Sequence, residues 1–223
     1  MPASYGIIFL IAALLFPTQE CCQALPRQER KLPTNPQFWL ICAALFFYVG
    51  AESVISILVV KFLLDQFQLT WSNFVLVGLW GNISLGRFIL SRIGKRFDTI
   101  SLVIGLALWP CVFIFLAAFG GATVAVLSFL AVGFGFSGIF SLLIEQGSAI
   151  AREGTIGILG TCGSLGATFT TGLVGFIAQR WGFPWGITLA AFMTLAIILS
   201  VLLSRQFRKE LPGNGGAGRW LKD

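Results

Sequence analysis

The chain has 223 residues, 57% of them hydrophobic and only 11% charged, with a net charge of +6 and no histidine. A soluble domain carries about a quarter charged residues, so the soluble globular class is excluded, and long unbroken apolar runs mark an integral membrane protein. The positive charge does not indicate nucleic acid, because the cations lie in short segments between apolar runs and form no stripe.

A bilayer core about 30 Å thick needs roughly 20 apolar residues in a helix. The first run, Tyr5–Phe16, is short and spans only as a helix over residues 1–24. A cleaved signal peptide is the alternative. It fails because no Lys or Arg precedes the run, and cleavage would put Arg27, Arg30 and Lys31 outside. A first helix that starts outside is explained if it is an inner helix of a longer chain. Residues 25–37 read as a cytoplasmic linker, polar and flanked by Pro26 and Pro36.

Six further spans follow within residues 38–204: Phe38–Val60, Trp71–Ile93, Ile100–Phe119, Val124–Ile144, Ile156–Ala178 and Trp185–Leu203. Gly120-Gly121 and Trp181-Gly182-Phe183-Pro184 read as tight turns. The tail, residues 205–223, contains PGNGGAG, lacks the hydrophobicity to pack and is expected to be disordered. Alternation of the spans puts Arg27, Arg30, Lys31, Arg92, Lys95, Arg96, Arg152 and the five tail cations on one side. Only Lys61 and Arg180 fall on the other, and Arg87 lies within the membrane. Twelve against two places the C-terminus in the cytoplasm of a multi-pass protein, with the plasma membrane as the default location.

Two polar faces stand out inside the apolar spans. Tyr48, Glu52 and Ser56 follow i, i+4, i+8 spacing, and Trp80, Ser84 and Arg87 follow i, i+4, i+7, so each trio shares a helix face. Asn82 lies nearly opposite the second face. An intramembrane charge normally faces a cavity or partner. Glu52 snorkels poorly and is a candidate for substrate binding or proton exchange, whereas Arg87 is long enough to snorkel to the interface or pin a neighbouring helix. A direct Glu52–Arg87 ion pair would have to bridge a depth difference of about 12 Å. The default reading of Arg92, Lys95 and Arg96 is the cytoplasmic topology signal. Gly157, Gly160, Gly163, Gly166, Gly172 and Gly175 read as close helix-packing positions.

The five cysteines show no metal-ligand spacing, and there is no nucleophile elbow or phosphate loop, so no enzyme, cofactor or metal is expected. One internal echo appears. Phe88–Gly94, FILSRIG, and Phe176–Gly182, FIAQRWG, share Phe, Ile, Arg and Gly in register at the ends of oppositely oriented spans. Inverted three-helix repeats are a transporter architecture.

The chain resembles the C-terminal half of a major facilitator superfamily transporter, helices seven to twelve preceded by helix six, in the fucose-permease-like branch. FYVGAE at Phe47–Glu52 resembles the seventh helix, and WGNISLGRFILSRIGKRF at Trp80–Phe97 resembles the eighth and its exit. GFGFSGIFSL at Gly133–Leu142 resembles the tenth, and Gly157–Gly182 the eleventh. Ser91 stands where the branch usually has glycine, Lys95 where it has aspartate, and only one helix of the N-terminal half is present. The resemblance implies an all-α fold of two inverted three-helix repeats plus one preceding helix. It also implies secondary active transport of a small organic solute, a sugar or a carboxylate, by alternating access. The implied cavity candidates are Tyr48, Glu52, Ser56, Trp80, Asn82, Ser84 and Arg87. Gly86, Arg92, Lys95, Arg96, Glu145 and Glu153 are the implied cytoplasmic gate. The implied partners are the substrate, a coupled proton, membrane lipid, and the missing half or a second chain. The alternative is a truncated or partner-binding membrane module without transport of its own.

Overall fold

A computed structural model of the chain describes residues 33–150 and 155–210. The expected first span, the linker up to Leu32, Arg152, Glu153 and the tail beyond Glu210 lie outside the described residues, as does the side chain of Lys95. Every regular element described is helical: α1 (Pro36–Phe67), α2 (Ser72–Ile93), α3 (Thr99–Phe119), α4 (Ala122–Phe136), α5 (Ile139–Ile150), α6 (Ile156–Trp181) and α7 (Phe183–Glu210). Taking α4 and α5 as one interrupted span, six are long and apolar enough to cross a membrane.

Local chemistry sets the ends. Asn35 caps α1, its side chain accepting from the Gln37 N–H at 2.9 Å, with Pro36 preset for the first turn. Gln68 ends α1 in the left-handed region at φ 54° and donates its N–H to the carbonyls of Leu63 and Leu64. Asp98 caps α3, accepting from the Ser101 N–H at 3.1 Å. Gly182, at φ 92°, reverses the chain between α6 and α7, a conformation only glycine adopts without strain.

Helix α1 is longer than the expected span, running through Lys61 and Asp65 to Phe67. Hydropathy falls at Lys61, but lysine, leucine and glutamine are good helix formers and nothing before Gln68 breaks the ladder. Helix α7 likewise continues through residues 205–210, which corrects their assignment to a disordered tail. The expected span Val124–Ile144 is two helices, interrupted at Ser137–Gly138.

Helix α1 forms the centre, packed mainly against α7 and α6 and also against α5 and α2. Helix α3 joins α7 to α4, and α4 joins α3 to α2. Phe38, Leu45, Phe62, Phe129 and Phe136 are wholly buried between them. Lipid removes the hydrophobic drive between helices, so close backbone approach carries the packing. A Cβ on Gly166 would collide with the Phe46 backbone, and one on Gly163 would stand 2.9 Å from Val49. Gly157, Gly160, Gly172 and Gly175 instead meet open space, so only two of the six expected packing glycines pack within the described chain. Helices α2 and α6 are the least covered: 22% of the spanning stretch of each is buried, against 44% to 56% in the others.

Candidate functional site: a polar groove beside a broken helix

A groove of about 330 Å³ opens where α1, α2 and α6 meet. Helix α1 contributes Val49, Glu52, Ser53, Ser56 and Ile57, α2 contributes Trp80, and α6 contributes Thr171. Glu52 is half-buried and is the single charged wall residue of the groove among the described residues. The Ser56 hydroxyl is buried and has no hydrogen-bond partner among the described residues, a costly state for a polar group unless something polar reaches it. Trp80 leaves 44% of its surface uncovered. Together the walls offer one carboxylate, two serine hydroxyls and an indole, a set suited to holding a small polar solute, while the Thr171 hydroxyl donates to the Ala167 carbonyl of its own helix at 2.7 Å.

Beside this groove the structure uses other candidates for a different purpose. The interruption at Ser137–Gly138 frees backbone carbonyls that an unbroken helix would satisfy. The Tyr48 hydroxyl donates to the Phe136 carbonyl at 3.0 Å, and Arg87 Nε donates to the Ser137 carbonyl at 3.2 Å. Tyr48 also packs edge-on against the Phe136 ring, centroids 5.8 Å apart. Gly86 belongs here too, since a Cβ on it would stand 2.5 Å from the Ser137 side chain. Glycine at 86 lets α2 approach the break closely enough for Arg87 to reach it. Glu52 and Arg87 both neighbour the Tyr48 side chain. No direct ion pair joins Glu52 to Arg87.

The remaining candidates separate. Asn82 donates to the Leu130 carbonyl at 3.0 Å and ties α2 to α4, away from the groove, in keeping with its place opposite the Trp80 face. Ser84 donates to the Trp80 carbonyl of its own helix at 3.1 Å. Arg92 lies over the Phe88 ring, 4.6 Å from its centroid, while Arg96 and Glu145 are exposed. Among the described residues no ion pair joins these two arginines to Glu145. Sequence reasoning missed Val49, Ser53, Ile57 and Thr171 as groove walls. A signal for Thr171 exists: Thr161, Ser164, Thr168 and Thr171 recur at helical spacing along one uncovered face of α6.

Comparison with solved structures bears on this six-span helical bundle and its polar groove. A variant of the E. coli fucose:proton symporter, FucP, superposes with a TM-score of 0.65 at 18% identity, over 75% of this chain and 42% of that one. The major facilitator superfamily transporter FucP in its outward conformation gives a TM-score of 0.69 at 17% identity, over 78% and 44%. An auto-inhibited peptide transporter of the POT family gives 0.68 at 14%, over 76% and 37%. The described helices therefore share the fold of part of these transporters, and the chain spans less than half the length of each of the three. No protein-family model and no curated protein sequence matches the chain.

Proposed function

We propose that the chain is the C-terminal half of a secondary transporter, with one preceding helix, and that it moves a small organic solute by alternating access. The groove carries this reading. It places an intramembrane carboxylate, an unpartnered hydroxyl and an uncovered indole on one surface, and such groups mark substrate or ion pathways. With Glu52 as the single charged wall, a neutral hydroxyl-bearing solute fits better than a carboxylate, which would meet like charge. Glu52 is the group assigned to proton coupling, an assignment supported by the fucose:proton symporter among the similar folds. A second half, from the same longer chain or from another chain, covers the open faces of α2 and α6.

The test is solute uptake into proteoliposomes holding the native protein, driven by an inward proton gradient. Glu52→Gln is expected to abolish gradient-driven uptake, on the order of a hundredfold, while the fold survives. Uptake by that variant with unchanged rate and pH dependence would overturn the role of Glu52. The mass of the native protein, read with an antibody to the tail, tests the half-transporter reading. A band near twice 24.2 kDa supports a longer chain. A band near 24.2 kDa requires two chains to pair.

A further inference from the structure

Three cysteines fall among the described residues, and two of them meet. Cys42 on α1 and Cys162 on α6 are free thiols whose side chains neighbour one another. The third, Cys111, is buried on α3, where its Sγ donates to the Ala191 carbonyl of α7 at 3.8 Å.

The register of the two helices brings the pair together. Gly166 lies against the Phe46 backbone, where a Cβ would stand 2.9 Å from the Phe46 Cα. One turn on, the Thr170 hydroxyl reaches towards the Gly50 carbonyl at 3.4 Å, across an offset of 120 residues. Phe46 and Gly166 share that offset, so α1 and α6 run parallel and in step. One turn before Phe46 and Gly166, the same offset joins Cys42 to Cys162. Below the pair, Ile41 and Leu159 both stand beside Gly147 of α5 and close the interface on that side. The thiols are therefore bracketed by close contacts above and below. A disulfide spans Cα atoms about 4.4–6.8 Å apart, and backbones that touch one turn along leave a gap of that order.

Access is uneven. Cys42 is buried, whereas Cys162 is half-buried beside the exposed Thr161 and Ser164. Cys42 follows Pro36 and Cys162 follows Ile156 by the same interval, about 9 Å along each helix from its start. A reagent arriving from that end of the bundle meets Cys162 first.

We propose that Cys42 and Cys162 form an oxidation site, a dithiol that closes to a disulfide and ties α1 to α6. The oxidant is a small, uncharged organic disulfide. Cys162 loses its proton and attacks one sulfur of the reagent, whose S–S bond breaks to release one thiol and leave a mixed disulfide. Cys42 loses its proton in turn and attacks the Cys162 sulfur, which forms the protein disulfide and expels the second reagent thiol. The two cysteines give up two electrons and two protons, and the two released thiols carry both away. Excess dithiol reverses the exchange. Because α1 and α6 both wall the polar groove, the bond fixes the spacing of two of its sides.

The test exposes the full 223-residue chain, folded in neutral detergent, to dithiodipyridine, alkylates the remaining thiols and maps the tryptic peptides by mass. Cleavage after Lys and Arg puts Cys42 in residues 32–61, Cys111 in residues 97–152 and Cys162 in residues 153–180. The expected product is the first of these peptides joined to the third, with Cys111 alkylated and the join lost on adding dithiothreitol. Cys162→Ser should leave the Cys42 peptide unjoined. In a second measurement, the oxidised chain should unfold on the order of 5–10 °C above the reduced chain, because the bond closes a long loop in the unfolded state. Cys162→Ser should show no such rise. Recovery of Cys42 and Cys162 on separate peptides after oxidation overturns the proposal, as does a join from either to another cysteine. A bond that forms yet leaves the unfolding temperature level or lower overturns it as well, since the helices would have left their packing to make it. None of these readouts involves solute uptake, so the result stands or falls apart from the transport reading.

Discussion

Tyr48 and Glu52 sit one turn apart on the same helix and beside one another, yet the hydroxyl and the carboxylate serve different neighbours. Tyr48 is wholly buried and its hydroxyl serves the protein's own backbone, satisfying Phe136 at the interruption between α4 and α5. Glu52 looks outward into a groove where the next hydroxyl on its face, Ser56, has no partner. The same division runs through α2, where Trp80 lines the groove and Arg87, two turns on, holds the Ser137 carbonyl. Polar residues at helical spacing thus fall into two groups, one bracing a broken helix and the other lining the groove. An intramembrane arginine is an expensive choice for a brace, but the alternative is a carbonyl left bare in a medium without water.

That division can be broken experimentally, beginning where the effect should be largest. Gly166→Ala drives a methyl group into the Phe46 backbone of α1 and should destabilise by about 1–3 kcal/mol or prevent folding. Gly160→Ala, on the open face of the same helix, should change stability by no more than about 0.5 kcal/mol. Thermal unfolding of the two variants in one detergent decides the matter. Equal losses would mean that the two faces of α6 do not differ as described.

On the bracing side, Tyr48→Phe strips the hydrogen bond from the Phe136 carbonyl and should cost about 1–3 kcal/mol. Arg87→Lys keeps the charge but loses the Nε–H that reaches Ser137, and should cost somewhat less. Both losses should appear in unfolding with no solute present; a change confined to solute affinity would move these residues into the groove's company. The smallest stability effect belongs to Ser56→Ala. Removing a hydroxyl that has no partner should leave the unfolding temperature level or slightly raised, while solute uptake weakens. A clear drop in stability would show that Ser56 is already satisfied within the protein.

Hydropathy located the six described spans to within a few residues at most ends, because an apolar run of bilayer length has few other fates. It failed at Lys61, where a charge ended the apolar run but not the helix, and at Ser137–Gly138, where a two-residue interruption leaves the run's hydropathy high. Spacing placed Glu52 and Ser56 on one face and set Asn82 apart, since both follow from helix geometry alone. What spacing cannot supply is the identity of the neighbour. The carbonyls that Tyr48 and Arg87 hold lie 88 and 50 residues away in sequence, and no local pattern announces them. The six glycines of α6 carry the same lesson, being alike in sequence and divided only by what stands opposite.

The length of α1 has a mechanical consequence. Its 32 residues make a rod of about 48 Å, set in a hydrocarbon slab of about 30 Å. Even at a lean of about 40°, the upper end of what spanning helices adopt, it rises about 37 Å and so projects past the slab by more than a turn. A rod that overshoots its bearing behaves like the needle of a gauge. If it pivots by about 10° about its middle, where Glu52 lies, the tip near Phe67 sweeps about 4 Å while the groove scarcely moves.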